Sequence, residues 1–206
     1  MNATSNLTQK LALVTAVALC AVATTACGDG DDGCGASTLK TLDGKVDTGR
    51  VDVDTVQVRA QNVVKREDGA ILIYQHFLAE TPFSHGGFKL NLPCRFDDQA
   101  LDYAVDRFNS NLSVSDKSAK GAFAVELAAL VDGVFAGYFG YGKFPVRANL
   151  VYVDRDVSIA GATSNANYEV HFTRGWNWAY QTVGSDLPNS LTSSDPGGLA
   201  WSFEAR

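Results

Sequence analysis

The sequence predicts an all-β protein: an antiparallel β-sandwich of about ten short strands, preceded by a signal peptide and a flexible tether. Three observations carry this. Apolar residues recur with a period of two from Leu42 onward, and turn pairs such as Gly86-Gly87 and Asp132-Gly133 punctuate the pattern at short intervals. Repeated helical crossovers, which a parallel α/β sheet would need, are missing.

The strands follow in order. Val46, Val51 and Val53 are succeeded by Val56 and Val58, a phase change that predicts a bulge or a strand break. Ile71, Leu72, Ile73 and Tyr74 form a near-continuous apolar run after the Asp68-Gly69 turn, and Phe88, Leu90 and Leu92 alternate up to Pro93. Phe123 to Leu130 and Val134 to Tyr141 flank Asp132-Gly133, a hairpin signal. Leu150 to Val153 and Val157 to Ala160 surround the charged turn Asp154-Arg155-Asp156. Tyr168, Val170 and Phe172 lead through Arg174-Gly175 to Trp176, Trp178 and Tyr180, which read as the return strand. A polar loop with Pro188, Pro196 and Gly197-Gly198 precedes a last strand, Leu199 to Phe203. One segment departs from period two: Leu101, Ala104, Val105 and Phe108 stand at helical spacing behind Asp97 and Asp98, predicting a short helix near 97–108.

The domain plan is a signal peptide over 1–26, an acidic tether over 27–40 and the sandwich over 41–206. Lys10 precedes an uncharged apolar run from Leu11 to Ala23, of signal-peptide length and shorter than the ~20 residues of a membrane-spanning helix. Removing Lys10, the only charged residue of that segment, takes the formal charge from −6 to −7. A dispersed acidic surface argues against nucleic acid as a partner and offers no basic patch to anionic lipid. Asp29, Asp31, Asp32 and Gly33 lack the alternation and the terminal Glu of a calcium loop, so the tether reads as solvated.

Thr24-Thr25-Ala26-Cys27 resembles the lipobox of bacterial lipoproteins, with Thr24 standing where that family usually carries Leu. The resemblance implies cleavage after Ala26, lipidation of Cys27, and attachment to the cell envelope. Gly28 after the cysteine points to the outer membrane. The alternative is ordinary cleavage after Ala23 or Ala26, giving a secreted or periplasmic protein. If Cys27 carries lipid and Cys20 leaves with the signal peptide, Cys34 and Cys94 remain as an even pair. They are then expected to form a disulfide, the alternative being two unpaired thiols.

Gly44-x-Val46, a valine strand and the run Gly87-Phe88-Lys89-Leu90-Asn91-Leu92-Pro93 resemble the transthyretin or carboxypeptidase-regulatory type of β-sandwich module. Arg174-Gly175-Trp176-Asn177-Trp178 is similar to a glycine-Trp-Asn hairpin of uncharacterised bacterial lipoproteins. These resemblances imply an exported sandwich and carry over no catalytic residue.

Chemistry-bearing patterns are sparse. His76, His85 and His171 lack the paired spacing of a zinc site, and no metal or cofactor is expected. No G-x-S-x-G elbow or phosphate-cradling glycine loop occurs. Glu67, Glu80, Glu126, Glu169 and Glu204 are isolated, so no carboxylate pair for glycoside cleavage is marked, and no catalytic residue is assigned. Aromatic residues are the exception. Trp176, Trp178 and Tyr180 share one strand face, and Phe135, Tyr138, Phe139 and Tyr141 crowd another hairpin. They either fill the core or form a platform for sugar rings or a protein partner, and register decides which. The expected role is therefore non-catalytic: a membrane-anchored envelope protein that binds a glycan or an envelope protein, or serves structurally. An envelope hydrolase or carbohydrate-active enzyme is the alternative.

Overall fold

The computed structural model describes residues 37–65, 71–104, 108, 111–184 and 189–206, all within the compact unit Asp31–Arg206. The signal peptide, Cys27, Cys34, most of the tether, Glu67 and the Asp68-Gly69 turn lie outside these residues.

The fold is all-β. In chain order the strands are β1 (Thr41–Lys45), β2 (Thr55–Lys65), β3 (Ile71–Pro82), β4 (Gly87–Asn91), β5 (Asp102–Tyr103), β6 (Ser113–Val114), β7 (Lys120–Ala122) and β8 (Val125–Val131). They continue with β9 (Val134–Lys143), β10 (Val146–Val153), β11 (Val157–Ala162), β12 (Ala166–Phe172), β13 (Gly175–Thr182), β14 (Asn189–Thr192) and β15 (Ala200–Ala205). That makes fifteen strands among the described residues where the sequence suggested about ten. The excess is mostly two- to four-residue pieces that pattern cannot mark.

β1 and β4 form a separate two-stranded ribbon, and the other strands form one large sheet. β10 lies at its centre and is buried on both faces, as alternation along its strand requires. Leu150 and Tyr152 enter one core, with Val56, Val58, Leu127, Phe139 and Trp176, beneath Leu42, Phe88 and Leu90 of the ribbon. Val151 and Val153 enter the other, against Val157 and Ile159 of β11 and Val170 and Phe172 of β12. The layers of the sandwich thus stack on either side of β10.

The Asp132-Gly133 turn forms as its sequence directs, with both residues left-handed (φ 50° and 76°) in a two-residue β8–β9 hairpin. The carboxylate of Asp54 accepts the Asp132 amide. Its pKa is lowered first by the hydrogen bond from the Thr55 side chain and then by that amide. The valine phase change corresponds to the start of β2 at Thr55, and a register shift against β3 follows between Val58 and Arg59.

Two expectations are corrected. The segment 97–108 is not one helix. Asp97 does cap a turn, its carboxylate accepting the Gln99 amide at 3.0 Å, but the 3-10 turn ends at Ala100. Asp102 and Tyr103 are then drawn into β5 by pairing with Gly121 and Lys120 of β7. Backbone partners supplied by a distant strand override a marginal local helix. The turn is tied down by Asn62, a buried residue of β2 whose side-chain amide donates to the Gln99 carbonyl.

Nor do the strands around Arg174-Gly175 pair with each other. β14 is inserted between them, antiparallel to β13 and therefore parallel to β12, with Tyr168 opposite Leu191. The one parallel pairing among the described strands follows from that insertion.

Candidate functional site: an aromatic groove at a strand fork

β9 sets the site. β15 occupies one edge of β9 from Gly137 to Gly142, so β8 and β10 must share the other. β8 takes the first part, Leu127 opposite Phe139, and β10 takes the last, Ala148 opposite Tyr141. Past those pairs Val125 and Glu126 of β8 and Asn149 and Leu150 of β10 compete for the same level of β9, and the two strands diverge. The sheet forks there.

A groove of about 920 Å³ lies along this fork. Tyr141, Trp178 and Trp201 line it from three strands, brought together because Trp201 pairs with Tyr141 and Trp178 pairs with Leu150, two residues along β10 from the Ala148 that faces Tyr141. Tyr141 is 5.3 Å from Trp178 and 4.9 Å from Trp201 between ring centroids, with tilted planes. All three rings are half-buried, with part of each open to the groove. Trp201 is held from behind, its indole N–H donating to the Asp43 carbonyl at 3.0 Å and its ring meeting Phe88 edge-on at 5.1 Å. Gly44 makes this possible, since a Cβ there would stand 2.7 Å from the Phe88 ring.

Around the rings stand two carboxylates, Glu126 and Glu204, and two cations, Lys143 and Arg147, so the described lining residues carry no net charge. Phe144 projects at the lip, 89% exposed, in the two-residue link between β9 and β10, where the Phe144-Pro145 bond is cis. Such a surface can stack on the apolar face of a ring and hydrogen-bond hydroxyls at its edge.

A second cavity, of about 470 Å³, opens into the core bounded by β10, β12, β13 and β14. Phe108, Phe123, Val151, Tyr168 and Phe172 form much of its wall, and Asn149, Gln181 and Asn189 supply polar groups. Among the described residues no charged side chain lines it. Val125 and Asn149 line both cavities.

The three aromatic residues singled out from the sequence separate. Trp176 is 2% exposed, donates its indole N–H to the Pro93 carbonyl at 2.7 Å, and packs on Phe96 and Tyr152. Tyr180 is also buried, which pushes its phenol up to about 12. Trp178 alone of the three reaches the groove. Its neighbours there, Tyr141 and Trp201, come together through the β9–β15 pairing, and nothing in the sequence marks that long-range contact.

The other candidates are dispersed. His76 is half-buried in β3, and His85 is an exposed turn residue with φ 52°. The Nδ1 of His171 lies 2.8 Å from the Ser158 hydroxyl in an exposed cross-strand pair that lines neither cavity. Glu80 accepts from Gln57 at 2.9 Å, and Glu169 is exposed on β12. Among the described residues no cluster of three or more His, Cys, Asp or Glu could hold a metal ion. Cys94 is not a free thiol.

The fold and the groove together define a class: an all-β protein with a charge-balanced, aromatic-lined surface groove. No family model, curated protein or solved structure matches the chain.

Proposed function

We propose that this chain is an exported, lipid-anchored, non-catalytic protein of the cell envelope that binds glycan in the groove of Tyr141, Trp178 and Trp201. The aromatic cluster, half-open and flanked by charge-balanced polar side chains, carries the reading. Sugar rings present apolar C–H faces and hydroxyl edges, and this lining offers partners for both.

Glu126 and Glu204, both on the groove, motivate the hydrolase alternative. They stand on β8 and β15, separated by β9 and offset by two residues along it. Strand spacing and rise place their Cα atoms about 12 Å apart. The carboxyl groups of glycosidase pairs work at roughly 5–5.5 or 6.5–9.5 Å, a spacing that two glutamate side chains can reach from those Cα positions, so released sugar is assayed alongside retention. Purified mature protein should be retained on a glycan array, and Trp178→Ala should weaken that retention at least tenfold while Phe135→Ala, outside the groove, leaves it unchanged. An array on which wild type retains nothing would remove the reading.

The anchor rests on the lipobox resemblance at Cys27, with placement in the outer membrane following from Gly28. The Cys34–Cys94 bridge is supported by what flanks it. Ser37, three residues after Cys34, donates its hydroxyl to the Trp176 carbonyl, while the Trp176 indole donates to Pro93 beside Cys94. Closing the loop of about 60 residues between Cys34 and Cys94 stabilises by roughly 4 kcal/mol on the chain-entropy account. Intact mass of detergent-extracted protein checks both features. It should show a chain beginning at Cys27 with added acyl mass, two hydrogens lighter than after reduction. Cys27→Ala should abolish the acyl mass. An unacylated chain would make the protein a secreted or periplasmic one.

The two segments behind the transthyretin-type resemblance pair with each other, Gly44 opposite Phe88. We take that as support for a relation of fold and nothing further.

A further inference from the structure

We propose that the edge strand β3 is a docking surface for a second copy of this chain, the two β3 strands pairing antiparallel across a two-fold axis at Gln75. This goes beyond the glycan reading and does not depend on it, since no β3 residue lines the groove.

Three observations carry the inference. The first is an open edge. Among the described residues β3 pairs with β2 alone, so the far side of a twelve-residue strand presents backbone N–H and C=O groups to a further strand. Edges of that length are normally blunted by charge, proline or a bulge. Here those devices come late. The register shift falls at Leu78, Pro82 ends the strand, and the Thr81 hydroxyl donates to the Lys89 carbonyl of β4 at 2.8 Å. Ile71 to Ala79 holds no Asp, Glu, Lys, Arg, Pro or Gly. At the opposite end of the sheet β6 is only two residues long.

The second is that the open stretch is apolar on both faces. Ile73 (62% exposed) and Phe77 (59%) share one face, and Tyr74 (49%) stands on the other. The third is self-complementarity, which selects the occupant. With Gln75 opposite Gln75, Ile73 of each copy stands opposite Phe77 of the other, and Tyr74 opposite His76. Each exposed apolar side chain gains a cross-strand partner and no like charges meet. Such an isologous pairing closes at two copies. The tether of the same chain does not suit this edge, because Gly28-Asp29-Gly30-Asp31-Asp32-Gly33 carries no apolar side chain and no strand former.

Sedimentation of the mature protein at increasing concentration should show a monomer–dimer equilibrium. Gln75→Lys sets like charges face to face on the axis and should weaken the dimer at least tenfold. Phe144→Lys, at an exposed apolar site outside β3, should leave it unchanged. Ile73→Thr, which keeps the β-branch and loses the apolar contact, serves as a second variant and should weaken the dimer in the same direction, with melting temperature recorded for all three. Opposed residues of an antiparallel pair lie within disulfide reach. In the intact chain Gln75→Cys should therefore give a disulfide-linked homodimer, and Gln61→Cys, opposite Gln75 on the covered side of β3, should not. A protein that stays monomeric at every concentration would overturn the proposal. So would a dimer of unchanged affinity in both folded β3 variants, or a Gln75→Cys chain linked to a different protein, which would make β3 a site for a foreign strand.

Discussion

Trp176→Ala should lower the unfolding free energy by about 3–5 kcal/mol, the cost of emptying a large aromatic site in a packed core. At this chain length that is roughly 10 °C in melting temperature. Trp176 carries more than area. Its ring touches Phe96 and Tyr152, its indole satisfies the Pro93 carbonyl, and its own carbonyl receives the Ser37 hydroxyl. Truncation leaves a void and strips a partner from a carbonyl in the interior. Trp176→Phe should fall between, since it keeps the ring contacts and loses the indole bond. Urea denaturation of the two variants beside Trp178→Ala separates core from groove. Trp178 is half-buried, so its truncation should cost clearly less stability and most of the binding. Equal losses of stability at the two tryptophans would contradict the division of roles.

A comparably large effect is expected at Gly137. There a Cβ would run into the Glu204 carbonyl and stand 2.9 Å from the Phe203 ring, so β9 and β15 approach each other only because the side chain is absent. Gly137→Val should destabilise by about 3 kcal/mol through overpacking against backbone that cannot rotate away. Its consequence extends to the groove, because β15 carries Trp201. Glycan retention and melting temperature should therefore fall together. Gly140→Ala is the control three residues on. Its Cβ would meet only the Ser202 hydroxyl, at 3.1 Å, which can turn aside. A Gly137→Val protein with unaltered melting and retention would show that β15 is not held by this contact.

Much of the fold could be read from the sequence, and the groove could not. Period-two alternation marks β2, β4, β9, β10, β12 and β13 because each has a buried face, and Asp132-Gly133 fixes its hairpin through local backbone preference. Partner choice is another matter. The insertion of β14 between β12 and β13 depends on a segment with no fully buried residue and no distinctive pattern, Asn189–Thr192. Residues 97–108 carry a helical spacing that a distant partner, β7, overrides. For the aromatic residues, alternation correctly puts Trp176, Trp178 and Tyr180 on one face, but a face is not an environment. The ribbon side of the core covers Trp176, whereas the fork leaves Trp178 open, and the fork exists only because three strands meet on β9.

The placement of β14 and β15 bears on how the molecule is assembled. β14 completes the sheet between β13 and β12, and β15 lies along β9 about 60 residues upstream, so both strands join regions synthesised before them. Contacts of such long sequence separation form late and slowly. A nascent chain lacking residues 189–206 has neither the bridge between β12 and β13 nor the Trp201 wall. For the exported protein proposed above, this order leaves the sheet open until residues 189–206 have been added.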